Sequence, residues 1–274
     1  MKQKKMLGLY SLSIIISICA IFTSIGGIFF EGVYRDNNLI VSVMRANDIV
    51  TLFIAVPTLF ASIFWDIKNS YKARLIWIGT LFYMMYNFMF YLYGVAFNRF
   101  FLLYVFLFTA SAYAIIFAFI KTDIKLIAER FSQKTPVKRI SGFMLFFCLL
   151  LGGLWVGMSM SYLFTGKVPQ TVIDSGHPTA VVFATDLSIL IPAIALGAIL
   201  LWKKRDWGYI LSTVMMVKAT TYGTGLIIMG IITYLDIGVK DSMLPLWSFL
   251  TLGCMLSLIG LIKNVKTEYL KKDS

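Results

Sequence analysis

Four ionisable residues stand inside long apolar runs: Arg45 and Asp48 in VSVMRANDIVTLFIAVPTLF, Asp186 in VVFATDLSILIPAIALG, and Lys218 in LSTVMMVKATTYGTGL. Two are basic and two acidic. A set of this kind can neutralise itself, hold a charged solute, or exchange protons between carboxylates and an amine. Polar neighbours accompany them. Asn47 sits beside Asp48, the run WIGTLFYMMYNFMFYLYG adds Tyr83, Tyr86 and Asn87, and Thr221 and Tyr222 follow Lys218. At a rise of 1.5 Å per residue, Arg45 and Asp48 lie about 9 and 13 Å below a helix entry at Leu39, and Asp186 about 10 Å below one at Thr179. Arg45 and Asp48 are spaced i, i+3 and share a face; Tyr83, Asn87 and Tyr91 stack along one face, as do Lys218, Thr221, Tyr222 and Gly225.

Four unpaired charges at mid-depth in a bilayer would cost on the order of 10 kcal/mol on the insertion scale, comparable to a whole domain's stability. They are therefore expected to meet. Two pairings satisfy the charges: Asp186 with Arg45 and Asp48 with Lys218, or Arg45 with Asp48 on one helix, leaving Asp186 for Lys218.

The elements that must position these residues are transmembrane helices. Hydrophobic residues make up 59% of the 274-residue chain, more than a soluble domain carries. Runs long enough to cross a bilayer, about 20 residues each, fall at 7–30, 39–65, 73–95, 100–120, 140–164, 179–202, 207–234 and 242–262. The expected fold class is all-α: a polytopic membrane bundle of eight transmembrane helices forming a single domain over 1–274. The first run follows a basic start but is too long for a cleaved signal core, so it reads as a retained anchor.

The net charge of +12 is a topology signal and no nucleic-acid footprint. With the N-terminus in the cytoplasm, Arg35, Arg99, Lys167 and Lys240 fall outside, Arg45 and Lys218 lie within spans, and every other Lys or Arg is inside, including Lys2, Lys4, Lys5, Lys271 and Lys272. That obeys the positive-inside rule at each loop and puts the C-terminus in the cytoplasm too. A multi-pass plasma-membrane protein is expected, with the lipid bilayer as its surroundings.

The second span reads Asp48, Pro57, Trp65, and the sixth Asp186, Pro192, Trp202. This suggests two parallel four-helix halves, 1–120 and 140–265, joined by the basic segment 121–139. In that segment Ile124, Ile127, Ala128 and Phe131 repeat at helical spacing, as in a short amphipathic helix lying on the inner leaflet or in a fourth span that runs on past the membrane. The prolines are expected to kink their spans. Gly153 with Gly157, and Ala219 with Gly223, have the spacing of close helix packing. Cys19, Cys148 and Cys254 stand singly in apolar runs, so no disulfide framework, metal site or cofactor is expected. Asp174, Ser175 and His177 are crowded into one loop, whereas a catalytic triad needs separate rigid elements.

The segments NDIVTLFIAVPTL, WIGTLFYMMYNFMFYLYGVAFNRFFLLYVFLF and DLSILIPAIALGAILLWKKRDWGYILSTVMMVKA resemble a widespread bacterial family of multi-pass hypothetical membrane proteins. The likeness covers most of 45–219. It implies that Asp48, Tyr83, Tyr86, Asn87, Asp186 and Lys218 are recurring positions, and it implies no particular activity.

Three readings of function follow. The first is a small-solute or ion permease or proton-coupled carrier, with a small polar or anionic solute or a proton as its cargo. The second is an intramembrane enzyme acting on a lipid or isoprenoid, its two carboxylates dividing acid and base roles; missing histidine pairs and metal spacings weigh against it. The third is a sensor or interaction subunit without turnover.

Overall fold

The computed structural model describes residues 6–266; Lys2, Lys4, Lys5, Lys271 and Lys272 lie outside the described residues. Among the described residues, eight helices are long and apolar enough to cross a membrane. In chain order, with two short helices between them, they are α1 (Leu7–Phe29), α2 (Asn38–Ile67), α3 (Tyr71–Tyr93), α4 (Phe101–Lys121), short α5 (Ile124–Ala128), α6 (Val137–Thr165), short α7 (Gln170–Ser175), α8 (Val181–Trp202), α9 (Asp206–Ile237) and α10 (Leu244–Ile262). The eight expected spans are all present, with ends shifted by a few residues.

Local chemistry sets the boundaries. Asn37 caps α2 by accepting from the Ile40 amide at 3.0 Å, and Ser70 caps α3 by accepting from the Ala73 amide at 3.3 Å. Each leaves one fewer orphan donor at the helix start. Gly166 and Gly238 end α6 and α9 in the left-handed region, where a side chain would be strained.

α3 is the hub. In it 72% of the apolar window is buried against other helices, and no other span exceeds 44%. It packs against α2, α4 and α9. Gly79 lets α9 approach closely: a Cβ there would run into the Val217 side chain and the Val214 carbonyl. Two of the expected small-residue spacings part company. Gly223 sits against Thr251 of α10, whereas Gly153 and Gly157 stand where a Cβ would meet no other part of the described residues within 4 Å. They are exposed on the lipid side of α6 because that helix turns its other face, with Met144, Phe147, Leu151 and Trp155, inward.

The two spans with a proline in mid-span share a local device. Thr51–Ala55 in α2 and Asp186–Leu190 in α8 are π-helical, and each is followed at once by a turn with proline at its second position, Pro57 or Pro192. Proline cannot donate to the carbonyl four residues back, and the wider π turn absorbs the misfit. The aspartates are not in equivalent places. Asp186 opens its π turn, while Asp48 lies in the α-helical turn ahead of Thr51.

Segment 121–139 does not lie freely on lipid. Asp123 breaks the chain from α4 by capping α5, its Oδ1 accepting from the Leu126 amide at 3.0 Å. Ile127, Ala128 and Phe131 are then buried. The Phe131 ring lies 4.9 Å from that of Tyr209 on α9, and Ser132 donates its amide to the Asn264 carbonyl at 2.8 Å. The apolar stripe is thus spent on α9 and the end of α10.

Candidate functional site

Along α2 the inward stripe is Met44, Asn47, Asp48 and Thr51, all buried. Arg45 belongs to the neighbouring stripe with Val41 and Ile49, and it is exposed. The expectation that Arg45 joins the buried cluster is therefore corrected. An i, i+3 spacing leaves two residues about 60° apart around the axis, enough to put a long basic side chain on the outside, where it can reach toward the polar interface.

Asp48 is 1% exposed. Its Oδ1 accepts from the Tyr91 hydroxyl at 2.9 Å, and Oδ2 accepts a short hydrogen bond from the Tyr34 hydroxyl. Tyr34 reaches in from the α1–α2 connection, where burial, followed by the neighbouring Asp48 charge, raises its phenol well above the ordinary range. Gly27 of α1 makes room, because a Cβ there would strike both the Asp48 carboxylate and the Tyr34 hydroxyl. The network continues sideways. Asn47 Nδ2 donates to the Tyr91 oxygen at 3.1 Å and to Asn87 Oδ1 at 2.8 Å, and Asn87 Nδ2 donates to Thr51 Oγ1 at 3.2 Å. Asp48 is satisfied by hydroxyls from two other parts of the chain. Among the described residues no cation lies within 4.0 Å of it, so the expected Asp48–Lys218 pair is not formed.

The second centre is Asp186, 6% exposed. Oδ1 accepts a short hydrogen bond from the Tyr86 hydroxyl, and Oδ2 accepts from Trp155 Nε1 at 2.8 Å. The Trp155 indole is held by stacking on Phe183, with centroids 4.3 Å apart. Lys218, 1% exposed, comes from α9. Its Nζ stands 3.3 Å from the Tyr86 ring centroid and 4.5 Å from that of Tyr222, a cation–π geometry that stabilises a desolvated ammonium by about 2 kcal/mol. Asp186 acts on it through space, and no carboxylate oxygen among the described residues lies within 4.0 Å of Nζ. Of the two expected pairings, Asp186 is brought near Lys218, without contact, and Asp186 with Arg45 is not.

These groups border a cavity of about 210 Å³ between α2, α3, α6, α8, α9 and α10. Its polar lining includes Asn47, Tyr86, Trp155, Asp186, Lys218 and Tyr222, and its remaining wall is largely aliphatic and aromatic. A second hollow of about 90 Å³ shares Trp155, Ser175, His177 and Val182 with it, so the space extends toward the α6–α8 connection. The His177 Nε2 is buried there without a hydrogen-bond partner. Asp174 points elsewhere, accepting from Gln170 at 2.7 Å, so Asp174, Ser175 and His177 form no relay.

Besides Arg45 and Asp48, three sequence candidates stand apart from the cavity. Tyr83 is fully buried behind it, its ring 6.1 Å from that of Tyr222; Asn87 serves the Asp48 network; Thr221 does not line the space. Trp155, Thr251 and Cys254, which line the cavity, and Tyr34 on Asp48 were not foreseen as site residues. A lone tryptophan deep in a span is a usable signal, since a buried indole N–H seeks an acceptor. Nothing in the sequence marks Tyr34. Among the described residues no group of three His, Cys, Asp or Glu could hold a metal ion. Comparison with protein-family models, curated proteins and solved structures finds no match.

Proposed function

We propose that the protein is a transporter-like carrier that takes a small solute into the cavity beside Lys218 and Asp186. One observation carries this reading: a buried acid and a buried base from separate helices face the same hollow without being paired to each other at contact distance. Ionisable groups so placed are expensive in a membrane unless they pair, meet water or take a ligand. The extension of the hollow to Ser175 and His177, at the end of the bundle poor in basic loops, supports entry from outside, with both termini in the cytoplasm and the bundle in the plasma membrane.

Asp48 has a separate role in this reading. It reaches the cavity only through Tyr91 and Asn47, and we assign it to the proton that couples transport. The matching π turns of α2 and α8 support two half-bundles, 1–120 and 140–265, as the units that move.

The test is a thermal-shift screen of the purified protein against amino acids, organic anions and lipids at two pH values. A ligand that stabilises the wild type and not Leu226→Trp, which fills the cavity, supports the reading; a panel that shifts neither protein contradicts it. A second reading, an enzyme acting on a lipid or isoprenoid, draws on the largely apolar walls. Product formation from a lipid extract, followed by mass spectrometry, would move the assignment there.

A further inference from the structure

We infer that the cavity selects a small organic monoanion with an apolar body, its carboxylate or similar group seated on Lys218. The inference rests on the reading of the cavity as a solute site and adds the chemistry of the solute.

The hydrogen-bonding state of the two charged groups decides the sign of the guest. Asp186 is provided for: each of its oxygens already has a donor, one from Tyr86 and one from Trp155. Each oxygen keeps a second lone pair, but with a donor already on both, Asp186 depends less on a guest than Lys218 does. Asp48 does not line the cavity and is closed off by Tyr34, Tyr91 and Gly27. Lys218 is the opposite case. An ammonium carries three donors, and here it has ring faces and a distant carboxylate but, among the described residues, no acceptor at hydrogen-bond distance. The missing partner is an acceptor, and a charged one makes the stronger bond.

The walls decide the rest of the molecule. Met44, Phe147, Leu151, Leu226, Met229 and Leu250 offer no hydrogen bonds from their side chains and make up much of the wall beside the few polar groups, so a polyhydroxylated body would lose more water than it regains. By the share of one liquid water, about 30 Å³, the main cavity admits on the order of seven small groups. Hexanoate and benzoate match this description.

The experiment titrates purified protein with hexanoate and benzoate, and in parallel with hexylamine and hexanol, by isothermal calorimetry. Wild type is compared with Lys218→Met, with Lys218→Arg and with the cavity-filling Leu226→Trp. The expected result is that the two carboxylates bind wild type and are weakened about tenfold or more in Lys218→Met, the least that a hydrogen bond to a charged group gives. Lys218→Arg, which keeps the charge, retains part of the affinity and guards against misfolding of the methionine variant. Leu226→Trp abolishes binding. If the amine or the alcohol binds as well as the carboxylates, or if Lys218→Met binds carboxylates as tightly as wild type, the inference is overturned while the solute cavity stands. If no probe of any class binds wild type, both are overturned.

Discussion

The two donors on Asp186 can be removed one at a time without disturbing the ring beneath Lys218. Tyr86→Phe deletes the hydroxyl on Oδ1 and keeps the aromatic face 3.3 Å from Nζ. Trp155→Phe deletes the N–H on Oδ2, a 2.8 Å bond. A hydrogen bond to a charged group contributes about 1.5–3 kcal/mol, and the oxygen left behind is buried, so each single change is expected to destabilise by about 2 kcal/mol. The double variant should lose less than the sum, because a carboxylate stripped of both donors takes up a proton or shifts onto Lys218 from its place near it. A coupling of about 0.5–3 kcal/mol is the usual range for residues sharing one partner. Equilibrium unfolding in mixed micelles, read by helical circular dichroism, measures all four corners of the cycle. If Tyr86→Phe lies within about 0.5 kcal/mol of wild type, as surface changes do, the hydroxyl is not on Asp186 and the geometry of the pair is refuted.

The remaining predictions follow from other contacts. Asp66→Ala removes the 2.6 Å ion pair with Arg74 and the 2.8 Å bond from Tyr10; with Arg74 partly exposed, the expected loss is about 3 kcal/mol, the lower end for broken buried pairs, with ligand affinity unchanged in the same calorimetric titration. Gly27→Ala crowds Asp48 and Tyr34 and should destabilise by about 1–3 kcal/mol, whereas Gly153→Ala, with open space around it, stays within about 0.5 kcal/mol in thermal unfolding. Arg45→Gln, on the outer stripe, should leave carboxylate affinity unchanged within twofold or so; a tenfold loss would put Arg45 back in the site. Because Asp186 and Lys218 are neutral as a pair, an anionic guest adds one negative charge to a low-dielectric site. Calorimetry in buffers of different ionisation heat should therefore report uptake of about one proton on binding, and none would show that the charge is left uncompensated.

Much of the fold was legible because a bilayer imposes length and polarity on each span. The eight helices followed from that constraint alone; the expectation that the four charges meet did not hold as a whole, since only Asp186 and Lys218 share the cavity while Arg45 is exposed and Asp48 is bonded elsewhere. The partners were less legible. Asp48 and Lys218 have opposite charges and comparable depth, yet Asp48 is satisfied by Tyr34 and Tyr91. Hydroxyls from a loop and a neighbouring helix leave no trace in spacing, and the angular position of each helix is fixed by packing and not by its own sequence. Arg45 shows the same limit from the other side: an i, i+3 offset places it near the buried face, and only the stripe that α2 actually turns inward excludes it. The prolines announced irregular backbone, and the π turns beside them gave that irregularity its form. The Gly153 and Gly157 spacing, by contrast, faces open space, since small residues permit close packing without requiring it.

Uptake by the reconstituted protein tests the carrier most directly. Proteoliposomes given an inward proton gradient and labelled benzoate should accumulate it faster with wild type than with Lys218→Met or with empty vesicles, and the difference should vanish when the gradient is collapsed. Equal uptake by wild type, the Lys218 variant and protein-free vesicles would contradict a solute pathway through the cavity at Asp186 and Lys218.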